Sequence, residues 1–244
     1  MHPQKSNLIN LMNSACFEVA RRVLRDFNEL TYLKANRNIV DFICTTQLRA
    51  YEDIKAMLTP SNHGHGFVFN DQMMQTSETG FYWLINPIDN VTNFAHRLPF
   101  FAICVVLVEN YSQEDKELTQ ANVIAGILFD PVREESFTVE RNKHSFMNTK
   151  KLRVVPNELN LIASDRSDSF SFRNIGSSAL HSAYFCAGRV DGIYHTFDNA
   201  TNFAFSKVFV EEAMGEIRVI NNKIVASPVG TISLVQKKAA RNVL

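Results

Sequence analysis

Apolar residues recur at Leu8, Met12, Ala15, Val19, Val23 and Phe27, the three-or-four-residue rhythm that lines one face of a helix. The spacing predicts an amphipathic helix over residues 6–29. A second helix is expected over 44–58, closed by Thr59-Pro60-Ser61-Asn62, with 31–41 as the connection. At Phe67 the rhythm changes. Phe67-Val68-Phe69 reads as a short strand and 72–80 as a polar loop. Tyr82-Trp83-Leu84-Ile85 reads as a buried strand that breaks at Asn86-Pro87, because proline lacks a donor and keeps its predecessor extended. Residues 89–93 form a tight polar loop, and the apolar, β-branched run 100–108 is the next strand.

Residues 110–120 are charged and read as a hairpin connection. Strands are expected at 122–129 and 135–140, joined through Asp130-Pro131, and an edge strand at 151–155. With the 100–108 run they make a large, mainly antiparallel sheet. Beyond Pro156 the elements alternate. A strand is expected at 161–163, a helix from Gly176 to about 187 capped by Ser177 or Ser178, and a strand at 193–195. A helix at 202–213, strands at 217–220 and 224–226, and a last helix at 229–240 complete the chain. This divides it into an N-terminal α+β half (1–155) and a C-terminal α/β half (156–244) of one compact unit. Periodicity alone places the fold no more narrowly than mixed α and β.

The chain has 244 residues, 45% of them hydrophobic, which is enough for a sizeable core. Lys plus Arg balance Asp plus Glu at 25 each, so nothing in the net charge draws the chain to nucleic acid or to an acidic membrane. No apolar run approaches the length of a membrane helix, and the N-terminus lacks the basic-then-apolar pattern of a secretory signal. A cytoplasmic protein is expected, with Cys16, Cys44, Cys104 and Cys186 as buried free thiols.

The chemistry concentrates in Asn86-Pro87-Ile88-Asp89-Asn90-Val91-Thr92-Asn93-Phe94 and its continuation His96-Arg97-Leu98-Pro99-Phe100. This segment resembles the central motif of the inositol monophosphatase family, Asp-Pro-Ile-Asp-Gly-Thr-x-Asn-Phe, and in particular its bacterial, SuhB-type branch. Gly176-Ser177-Ser178-Ala179-Leu180 and Ala187-Gly188-Arg189-Val190-Asp191-Gly192 resemble the family's later landmarks, in the expected order. The resemblance covers nearly the whole chain, which looks shortened between Ser164 and Arg173 and at Asn221-Asn222. It implies an αβαβα layered sandwich, a homodimer, and hydrolysis of phosphate monoesters with Mg²⁺. Such chemistry needs hard oxygen ligands around the ion, most of them anionic.

Carried over position by position, the resemblance implies metal ligands at Asn70, Asn86, Ile88 (through its carbonyl), Asp89 and Asn202. It implies catalytic positions at Val91 and Gln47, and substrate-binding positions at Asn90 and His195. Most of these depart from the family. Gln47, Asn70, Asn86 and Asn202 are amides where the family has acids, and only Asp89 remains a carboxylate. An amide keeps the acid's shape and loses its charge, and Val91 lacks the hydroxyl that orients a water. Mg²⁺ is therefore expected to bind weakly or not at all, unless Asp71 or Asp198 moves in as a replacement.

Other polar features carry plainer readings. His63 and His65 read as a surface loop, Arg189 and Asp191 as turn residues, and Lys237, Lys238 and Arg241 as a solvated helix face. Nothing argues for Ser177 as a nucleophile. Three functions stay open: a non-catalytic family member kept for binding or regulation, a residual or altered Mg²⁺-dependent phosphatase of inositol or sugar monophosphates, and a small-ligand sensor whose emptied metal pocket binds a neutral polyol. The partners left open are a small polyol or phosphate ligand and a protein partner of a regulatory type. SuhB-like relatives are associated with transcription control, an analogy for the first function.

Overall fold

The computed structural model describes residues 6–32, 39–112, 122–156, 160–165, 172–196 and 198–241. Two helices open the chain, α1 (Asn7–Glu29), capped by the Ser6 hydroxyl, and α2 (Ile39–Leu58). The second starts at Ile39 rather than at 44, and Ile43 in its added turn already faces the core. A 3-10 turn at Thr59–Ser61 follows. Then come β1 (Gly66–Phe69), β2 (Gln72–Gln75) and β3 (Phe81–Asp89), the short helix α3 (Val91–Ala95), and β4 (Ala102–Glu109). β5 (Val123–Asp130), β6 (Glu135–Glu140), β7 (Ser145–Met147) and β8 (Lys150–Lys151) complete an eight-stranded sheet in the order β2-β1-β3-β4-β5-β6-β7-β8. Every pairing in it is antiparallel except β1 with β3.

The second sheet has five strands, in the order β10-β9-β11-β13-β12. They are β9 (Ile162–Ser164), β10 (Phe172–Arg173), β11 (Gly192–Thr196), β12 (Gly215–Ile220) and β13 (Lys223–Pro228). Helices α4 (Ser178–Cys186) and α5 (Ala200–Glu212) interrupt them, and α6 (Ile232–Arg241) follows.

Strand parity explains the layers. On β4, Ile103, Val105 and Leu107 join α1 and α2 in one core, while Cys104, Val106 and Val108 join α4 and α5 in another. Both faces are buried, so the strand reads as an unbroken apolar run rather than an alternation. α5 lies between the two sheets. Phe203, Phe205, Val208 and Phe209 are all buried there, as befits a helix apolar on every side. A third cluster, with Val235 and Ala239 of α6 against Ile162 and Val225, covers the outer face of the smaller sheet. The order of layers is thus helices, sheet, helices, sheet, helix: the αβαβα sandwich.

Three local expectations change. Residues 72–80 contain a strand, β2, whose Gln-Met-Met-Gln sequence is mostly exposed and carries no alternation. Cys44 is exposed; the other three cysteines are buried, and all four are free. The edge strand of the large sheet is Lys150–Lys151, which shares only Lys151 with the expected 151–155. The charged connection 110–120 lies mostly outside the described residues.

Candidate functional site

The run 82–85 does not end at Asn86-Pro87; β3 continues through the proline to Asp89. Asn86 pairs with Cys104 and Asp89 with Ala102, so three steps along β3 match two along β4. This is a β-bulge, a place where a sheet tolerates a residue without an N–H. The bulge also resets the side-chain parity. Ile88 turns into the outer core with α1 and α2, while Asn86 and Asp89, three residues apart, both reach Asn202 on α5. The expected loop at 89–93 is instead the left-handed Asn90 (φ 70°), whose side chain accepts from the Asn93 amide at 2.7 Å, and the first turn of α3.

A cavity of about 360 Å³ opens here. Gln47, Asn70, Asn86, Ile88, Asp89, Asn90, Val91 and Asp198 lie on its wall. Gly176 closes one side at φ 86°, where a Cβ would come within 2.1 Å of Asn90 Nδ2. Asn202 is 1% exposed and hydrogen-bonds to both Asn86 and Asp89 from behind the wall. His195 is not on the cavity wall. It is 3% exposed, its ring lies 5.2 Å from that of His181, and its Nδ1 donates to the Thr196 carbonyl at 2.8 Å. Burial holds both imidazoles below their usual range.

Asp89 and Asp198 on the cavity wall, and Asp71 beside Asn70, are each engaged by donors of the protein itself. Asp89 Oδ1 accepts from Asn202 Nδ2 at 2.7 Å, and Asp89 Oδ2 accepts from the Ser177 hydroxyl and from the Ala179 amide at 3.3 Å. Asp89 therefore faces the N-terminus of α4, where a negative charge is favoured. Asp71 does the same for α5, accepting from the amides of Ala200 (2.7 Å) and Thr201 (3.2 Å) and from the Thr201 hydroxyl (3.0 Å). Asp198 accepts from the Ser178 hydroxyl and from Asn202 Nδ2 at 3.1 Å. Among the described residues, no three His, Cys, Asp or Glu side chains gather closely enough to hold a metal ion. The serines Ser177 and Ser178 belong to this network; the sequence marks them only as helix caps, because their partners lie far away along the chain.

Burial pushes the Asp89 carboxyl up to about 7, the neighbouring Asp198 adds to the shift, and the hydrogen bonds from Ser177, Asn202 and Ala179 oppose it. The folded protein then keeps a proton that the unfolded chain releases near 3.8. The part of the stability that depends on this proton is full below that value and is lost as the pH rises to about 7. The melting temperature of the unmodified protein, minus that of Asp89→Asn, is expected to fall across this window. A flat difference would show that Asp89 is charged throughout.

The family model for the inositol monophosphatase family matches residues 4–171. The chain belongs to the inositol monophosphatase family. An inositol-1-monophosphatase of Mesorhizobium japonicum is 27% identical over 235 residues, covering 86% of this chain and 85% of the relative. The Nus factor SuhB of Escherichia coli is 24% identical, over 88% and 84%. The crystal structure of the extragenic suppressor protein SuhB from Bartonella henselae superposes with a TM-score of 0.80 at 24% identity, covering 95% of this chain and 98% of that one. This last likeness speaks for the fold. Within the family, this chain is of the SuhB-like kind. No helix among the described residues is long and apolar enough to cross a membrane.

Proposed function

We propose that this chain is a non-catalytic member of the inositol monophosphatase family, retained for binding or regulation. The observation that carries the reading is Asn202. Its Nδ2, a hydrogen-bond donor, lies 2.7 Å from Asp89 Oδ1 and 3.1 Å from Asp198 Oδ2, where a phosphatase of this family would need anionic oxygen facing a cation. The donor set does not fit Mg²⁺. A divalent ion must be repaid for its lost hydration by anionic ligands, and the three acids near this cavity already hold protein donors. Mg²⁺ is proposed to bind weakly or not at all. The carboxylates that remain are those that two helix N-termini use, while Gln47, Asn70 and Asn86 are neutral.

A regulatory protein partner is proposed by analogy with the relatives named Nus factor SuhB, and a homodimer on family grounds. The alternative, an altered Mg²⁺-dependent phosphatase of inositol or sugar monophosphates, draws on the relatives named inositol-1-monophosphatase. A phosphate-release assay with inositol monophosphate and millimolar Mg²⁺ separates the two. No release above the no-enzyme background is expected, and robust Mg²⁺-dependent turnover by the unmodified protein would sink the non-catalytic reading.

A further inference from the structure

We infer that the Asn202 carboxamide is a built-in replacement for a cation: it occupies the focus of an oxygen cage and cross-links the cleft permanently. This rests on the non-catalytic reading of the same site and deepens it. The nitrogen has three oxygens around it, Asp89 Oδ1 at 2.7 Å, Ser178 Oγ at 3.0 Å and Asp198 Oδ2 at 3.1 Å. They come from three separate pieces of chain, the end of β3, the first residue of α4 and the segment before α5. The two carboxylates fix the orientation of the amide, since only its NH₂ end can donate to them. Its Oδ1 in turn accepts from Asn86 Nδ2 at 3.1 Å, and the Asn202 main-chain amide is held by Asn199 Oδ1 at 2.8 Å. A side chain 1% exposed thus joins the bulge of the large sheet to both inner helices.

An amide hydrogen carries only partial positive charge, so it attracts each carboxylate less than a divalent ion would. Against that, the amide has no tight hydration shell to lose, needs no free ion in solution and cannot dissociate. It also lies between Asp89 and Asp198, two acids whose like charges disfavour each other. The cleft should hold its shape whatever the metal content of its surroundings, and an acid at position 202 should convert that arrangement into a metal-dependent one.

The test is thermal melting of the full chain, unmodified and as Asn202→Asp and Asn202→Ala, each with millimolar MgCl₂ and with EDTA. The unmodified protein is expected to melt at the same temperature in both. Asn202→Asp removes the donor and adds a third carboxylate, so its melting temperature in EDTA is expected to fall by roughly 5 °C or more and to recover with Mg²⁺. Asn202→Ala is expected to fall without recovery, since it offers the ion no new ligand. If Asn202→Asp is soluble only when purified with Mg²⁺ and unfolds on chelation, the inference stands. An Asn202→Asp that melts like the unmodified protein in EDTA, or that is unfolded with and without Mg²⁺, overturns it, as does equal Mg²⁺ rescue of Asn202→Ala. Phosphate release by the unmodified protein would defeat the non-catalytic reading, whereas a metal-indifferent Asn202→Asp would defeat this inference and leave that reading standing.

Discussion

Asp89→Ala is expected to destabilise the protein by about 2–4 kcal/mol at neutral pH, the summed effect of donors left without an acceptor in a buried site. Asp89 is 3% exposed. Its removal orphans the Ala179 amide and the Ser177 hydroxyl, and takes one of three acceptors from Asn202. Two effects oppose the loss: the buried charge disappears, and so does its repulsion with Asp198. These lower the figure without reversing it, because α4 loses the acceptor of its Ala179 amide, keeping only the Ser177 cap, and the cavity gains no apolar contact in exchange. The measurement is urea unfolding of both proteins. A residue kept only to bind metal would behave in the opposite way, since deleting one member of a repelling acidic cluster stabilises the metal-free protein. An Asp89→Ala variant as stable as the unmodified chain, or more so, would therefore remove the structural role assigned to Asp89.

How far the molecule could be read from its sequence depended on how local each signal was. α1 was fully legible, because Ser6 caps it and its apolar stripe recurs on one face. The continuous apolar run 100–108 announced β4 as a strand; that both its faces are buried came only with the two cores. β2 was invisible, since its residues are mostly exposed and only the backbone partnership with β1 makes it a strand. The proline misled in β3. It does lack a donor, but a one-residue bulge against β4 absorbs that lack, and nothing local to Asn86-Pro87 encodes the partner strand. The site divides in the same way. The family resemblance pointed to Asn86 and Asp89 through the motif frame and to Asn202 through a separate position, although more than a hundred residues separate the first and the last. The duties of Asp71, Asp198, Ser177 and Ser178 stayed hidden. Asp71, an acid near the site, turns its oxygens to the first turn of α5 instead. That assignment depends on how a hairpin end meets a distant helix, which no spacing along the chain records.

Restoring the charge should restore the ion. The combined variant Asn70→Glu, Asn86→Asp, Val91→Thr and Asn202→Asp is expected to bind Mg²⁺ at least about a hundredfold more tightly than the unmodified protein, a gain of roughly 2.7 kcal/mol. Three new carboxylates beside a divalent ion need supply only a small part of their Coulomb attraction, about 4 kcal/mol per pair of unit charges at ~4 Å and an effective dielectric near 20. The rest is consumed in dehydrating the ion. The geometry favours this outcome. Asp89 Oδ2 would stay with Ser177 and Ala179, while Asp89 Oδ1, released by the former amide, would turn to the cavity. Asn70 and Asn86 already lie on that wall, although Asn70 holds a left-handed φ of 46° that suits Asn better than Glu. Turnover is a harder demand, because groups that act as one unit are strongly non-additive and Gln47 is still an amide in this variant. Calorimetric titration with Mg²⁺ is the deciding measurement. Failure of the combined variant to bind would mean that the hold of Ser177 and Ala179 on Asp89, rather than the missing acids, keeps the ion out.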